Sequence, residues 1–126
     1  MKKIYFFLLV LGGLWYAAHR CNFADVMAYS HKHADAVWAP KVEFAVGMVY
    51  YQRDDHPRAQ EAFTQLLTDY PTGQYTARVL LRMSEMADDD RDWPGEKEYL
   101  DRFLTDFPED PNRMIAVKRR ELLYNK

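Results

Sequence analysis

The stretch LLTDYP, Leu66–Pro71, returns almost unchanged as FLTDFP, Phe103–Pro108, an interval of 37 residues. A recurrence at such an interval is the mark of a copied supersecondary unit, and it decides how every local pattern around it is read. Each copy closes on a proline, which removes a backbone donor and stops a helix. The two hexapeptides therefore read as the last turns of two equivalent helices.

Upstream of the first copy, the chain from Pro40 to Pro71 divides into two helices. Pro40 and Pro57 suit first helical positions, where a missing N–H costs nothing, and Asp54, Asp55 and His56 form a polar turn between the helices. Phe44, Val46, Gly47, Val49 and Tyr50 recur at helical spacing in the first helix, and Ala59, Ala62, Phe63, Leu66, Leu67 and Tyr70 in the second. Neither helix buries its stripe alone, so the pair is predicted to pack. The second copy runs from Gln74 to Pro108, with Ala77, Leu80, Leu81 and Ser84 in the first-helix core places and Leu100, Phe103, Leu104 and Phe107 in the second.

Val46, Gly47, Tyr50, Ala59, Phe63 and Pro71 carry the spacing of the tetratricopeptide repeat family, which the sequence resembles from Pro40 onward. Glu43 stands where that family has a tryptophan, and Leu66 where it has an alanine. The resemblance implies an all-α solenoid of about two helix-turn-helix repeats. The residues beyond a 34-residue period are assigned to the turn around Asp88–Gly95. After Pro108 a further helix is expected, with Met114, Val117 and Leu122 as its apolar stripe and Lys118, Arg119, Arg120 and Glu121 outside, making a polar C-terminal cap.

The same resemblance implies a concave groove lined by the first helices of successive repeats. By position its partner-binding residues are Lys41, Phe44, Met48 and Tyr51 beside Tyr75, Arg78, Arg82 and Glu85. Arg78 and Arg82 are four apart on one helix face, where both guanidinium groups reach a carboxylate-bearing peptide. The implied function is a non-catalytic scaffold or adaptor that binds another protein or peptide. An accessory structural subunit of a membrane complex is the alternative.

Ahead of the repeats, residues 4–18 carry no charge and follow Lys2 and Lys3, the layout of a signal sequence or anchor. Trp15 or Tyr16 at the −3 position argues against clean cleavage after Ala17 or Ala18. Residues 1–21 are thus expected to be a signal sequence or a transmembrane anchor, 22–39 a connecting helix using Phe23, Val26, Met27, Ala34, Val37 and Trp38, and 40–126 the repeat domain. Similarity to envelope proteins and the positive-inside rule place that domain in the periplasm of a bacterium, anchored at the inner membrane. The periplasm without an anchor, or a lipid anchor on Cys21, are the alternatives, although His19 and Arg20 depart from a bacterial lipobox.

Composition narrows the chemistry. A net charge of −2 gives no basic field for nucleic acid, and a single cysteine allows no intramolecular disulfide. His19, Cys21, Asp25, His31, His33 and Asp35 form a suggestive cluster, but His31 and His33 point about 200° apart on a helix, whereas His31 and Asp35, four apart, can meet. The run Asp88, Asp89, Asp90, Asp92 imitates a calcium loop until Trp93 and Tyr99 occupy its required glycine and glutamate places. No catalytic motif, cofactor or metal is assigned.

Overall fold

The computed structural model describes residues 2–20 and 23–125, and among them the only regular elements are helices. They are α1 (Lys2–Arg20), α2 (Phe23–Lys32), α3 (Ala39–Gln52), α4 (His56–Asp69), α5 (Thr76–Asp89), α6 (Trp93–Asp106) and α7 (Arg113–Leu123). Cys21 and its lipid reading lie outside the described residues, as does the side chain of His19.

The 37-residue period runs through the architecture. The starts of α3 and α5, of α4 and α6, and of α5 and α7 are each separated by 37 residues. α3 to α6 are all 14 residues long. The extra residues do not lie in the turn around Asp88–Gly95. Both intra-repeat turns span three residues, and their backbones match: Asp54 and Arg91 each have φ 56°, followed by Asp55 at φ −88°, ψ 73° and Asp92 at φ −87°, ψ 76°. Each of those aspartates caps the next helix, Asp55 accepting from the Arg58 amide and Asp92 from that of Gly95. The period is lengthened in the six-residue links between repeats, Tyr70–Tyr75 and 107–112. In the first link the Thr76 hydroxyl donates to the Tyr70 carbonyl and ties the entry of α5 to the exit of α4.

The core is built from the repeated endings. Phe63 and Leu66 of α4 meet Val79, Leu80 and Met86 of α5 and Leu100 and Phe103 of α6, all fully buried. A second, smaller cluster joins Met27 of α2 to Val46 and Ala62, with Phe23, Val26, Val42 and Tyr50 at its edge. α2 is shorter than the expected connecting helix. It stops at Lys32, and Ala34, Val37 and Trp38 fall in the following turn, where Val37 is 95% exposed.

The orientation expected of the C-terminal helix is overturned. α7 does not face the domain with Met114 and Leu122, which are exposed together with Ile115. Its inner face is Ala116, Arg119, Arg120 and Leu123, and the two arginines pair with Glu96 and Asp101 of α6. Long arginine side chains bury their aliphatic stems while their head groups find carboxylates, so the face chosen by charge pairing displaced the face chosen by hydropathy. The transmembrane span is also not supported: among the described residues no helix is long and apolar enough to cross a membrane. Fifteen uncharged residues give about 22 Å of helix against a hydrocarbon core of about 30 Å. The side chains from Ile4 to Tyr16 on α1 are exposed.

Candidate protein-binding groove

α3, α5 and α7 are equivalent helices of successive units, and their residues share one continuous surface. On α3, Phe44 and Met48 are half-buried against the larger core cluster rather than beneath α2, which sits on Val46 and Ala62. Phe44 stacks on Tyr75 with ring centres 4.8 Å apart. Two turns along α3 from Phe44, the Tyr51 hydroxyl donates to Glu85 Oε2 at 2.9 Å, and Arg82 donates to the same oxygen at 2.9 Å while lying 5.4 Å from the centre of the Tyr51 ring. Burial and the Glu85 carboxylate push the Tyr51 phenol above its usual range. The hydrogen bond that Arg82 donates to Glu85 raises Arg82 above its usual range. Arg82 is thus partly neutralised within the protein.

Arg78 stands differently. It is exposed on α5 and lines, with Leu81, Arg82, Glu85, Asn112, Ile115 and Arg119, a cavity of about 250 Å³ between α5 and α7. The structure therefore separates the eight predicted residues into three groups. Phe44, Met48 and Tyr75 form a packed aromatic and aliphatic floor, Tyr51, Arg82 and Glu85 form a polar knot, and Arg78 and Lys41 are exposed cations.

The α7 contribution was missed because that helix was read only as a cap. The period itself carries the signal: 37 residues after Tyr75, Arg78 and Arg82 come Asn112, Ile115 and Arg119, and all three line the cavity. Arg119 extends the network by donating to the Ser84 hydroxyl at 3.0 Å and to Glu96 Oε1 at 3.3 Å.

Elsewhere the candidate metal-binding residues find partners within the protein. His31 pairs with Asp69, not Asp35, at 2.8 Å. In the acidic run, Asp90 lies 3.5 Å from His56 and Asp92 caps α6. Among the described residues no group of three His, Cys, Asp or Glu side chains is placed to hold a metal ion.

Comparison with known proteins adds one match, to the family described as tetratricopeptide repeat, over residues 42–73. No curated protein and no solved structure matches. The matched segment covers the α3–α4 pair up to Gly73, the half of the solenoid with the fuller set of small and aromatic packing residues. Residues 42–73 are thus similar to the tetratricopeptide repeat family.

Proposed function

We propose that the chain is a non-catalytic adaptor whose α3–α5–α7 surface receives an extended acidic peptide, such as a carboxylate-rich tail of a partner protein. Tetratricopeptide repeats in general mediate protein–protein interaction, and one observation supports this surface in particular. The cavity between α5 and α7 combines three guanidinium groups, Arg78, Arg82 and Arg119, with apolar walls from Leu81 and Ile115. Arg82 and Arg119 already hold carboxylates of the protein, so Arg78 supplies the uncommitted charge and the other two supply direction. Lys41, Phe44, Met48, Tyr51 and Tyr75 extend the same surface along α3 and the start of α5.

We further propose that the protein works on the exported side of a bacterial inner membrane. Lys2 and Lys3 ahead of the uncharged run 4–18 support targeting to that compartment.

Fluorescence anisotropy with an acidic peptide bearing a free C-terminus tests the groove, using a scrambled-charge peptide as control. Saturable binding that weakens at least tenfold in Arg78→Glu, with unchanged helicity, is the expected result. Equal affinity for both peptides, or equal binding by the variant, overturns it.

A further inference from the structure

At the opposite end of the solenoid a buried acidic pair lies under α2. Glu43 of α3 is fully buried, and the side chain of Asp69 at the end of α4 is only 5% exposed. The charge of Asp69 bears on Glu43, whose Oε2 is buried without a hydrogen-bond partner, and His31 of α2 closes over Asp69 with Nδ1 at 2.8 Å and 3.0 Å from its two oxygens. Gln65 ties the same groups to the backbone of α2, donating to Glu43 Oε1 at 2.9 Å and to the Met27 carbonyl at 2.8 Å. Tyr70 donates to the Ala34 carbonyl just after α2. The apolar part of this contact is small, with Met27 as the one buried hydrophobic side chain that α2 contributes. Polar contacts therefore carry much of the docking.

We propose that the His31–Asp69–Glu43 cluster is a pH-operated latch, which holds α2 on the first repeat while protonated and releases it as pH rises past neutrality. A second buried charge beside the Asp69 carboxylate is costly, so Glu43 holds its proton. In the closed state Glu43 keeps its proton, while Asp69 accepts from protonated His31, and the three groups together are neutral.

Both titrations run in the same direction. Burial, with Asp69 adding to it and the Gln65 hydrogen bond opposing it, pushes Glu43 up to about 7. The hydrogen bond and charge of Asp69 raise His31. A raised folded-state value stabilises below the ordinary value and is lost on passing through the raised one, so Glu43 withdraws docking energy between about pH 4.5 and 7 and His31 withdraws it above about 6.5. The other groups around the cluster do not reverse this. Tyr70 is raised by burial and by Glu43, Asp69 and Asp35, so it stays neutral throughout, and the charges bearing on Glu43 are those of Asp69 and His31. Arg58 and Glu61 line a cavity of about 430 Å³ along α2 with Phe23, Met27 and Tyr50. Release of α2 opens that cavity and uncovers Val46 and Ala62, whether or not the groove at the other end binds a peptide.

Hydrogen exchange of the full chain, expressed as protection factors for α2 amides against those of α5 and α6 at pH 5.5 and 8.0, tests the latch. Protection in α2 is expected to fall on the order of tenfold with rising pH while α5 and α6 hold. Glu43→Gln, which mimics the protonated acid, should flatten most of that fall, and His31→Gln should lower protection at pH 5.5 and shrink the fall. Flat protection in the parent chain, an equal fall in α5 and α6, or an undiminished fall in both variants overturns the latch.

Discussion

Gly47 of α3 lies directly against the ring of Phe63 in α4, so that a Cβ at position 47 would overlap Phe63 Cε1 and stand 2.5 Å from Cδ1 and 3.0 Å from Cζ. The ring is fully buried. This contact explains why the repeat needs its smallest residue opposite its largest. It sets the approach of α3 to α4, and through Phe63 the position of the larger core.

Gly47→Ala should therefore destabilise the fold although alanine favours helices. Overpacking of this kind costs about 1–3 kcal/mol, more than the helix-propensity gain of about 1. Urea unfolding followed by circular dichroism checks it. A midpoint equal to or above that of the parent chain would show that the helices separate freely at this point.

The matched turns give a paired prediction. Asp55 and Asp92 hold the same backbone geometry and cap α4 and α6, and Gly95 leaves the space that the Asp92 carboxylate occupies. Asp92→Ala and Asp55→Ala should each cost about 1 kcal/mol. The Asp92 cap is the shorter, 3.1 Å against 3.4 Å, so its loss should be the larger in thermal denaturation.

Arg91 occupies the left-handed conformation at φ 56°, as Asp54 does in the first repeat. Aspartate tolerates that region by local hydrogen bonding, whereas arginine gains nothing there. Arg91→Gly should stabilise the domain by roughly 0.5 kcal/mol, the relieved strain exceeding the added freedom of the unfolded chain. A lowered denaturation midpoint would mean that the arginine side chain contributes more than its exposure suggests.

The repeated hexapeptides made α4 and α6 legible, because a proline stop and a helical stripe are local signals. The same was true of Gly47, Ala59 and Phe63. The orientation of α7 was not legible, since Met114, Ile115 and Leu122 on one face compete with Ala116 and Leu123 on another, and hydropathy alone gives no reason to prefer the latter. Its choice depends on Glu96 and Asp101, carboxylates on a different helix. Glu43 was hidden for the same reason: an acid inside an apolar stripe is intelligible only once Gln65, Asp69 and His31 are known to surround it. In the groove, the mutual pairing of Tyr51, Arg82 and Glu85, which leaves Arg78 as the more available cation, is a matter of side-chain reach.

The Glu96–Arg119 pair shows what fixes α7. Glu96 occupies the place that Ala59 holds in the first repeat, and it is 3% exposed, with Arg119 20% exposed beside it. Removing one charge from a buried pair costs more than removing both, because desolvation of the remaining charge is no longer offset. Arg119→Leu should cost roughly 3 kcal/mol, whereas adding Glu96→Ala to it, which restores a small residue on α6 opposite an apolar one on α7, should recover most of that loss. Urea midpoints of the two single variants and the double variant form the cycle that checks it. Strictly additive losses would mean that each residue anchors α7 through separate contacts, and the orientation of the helix would then owe nothing to the pair.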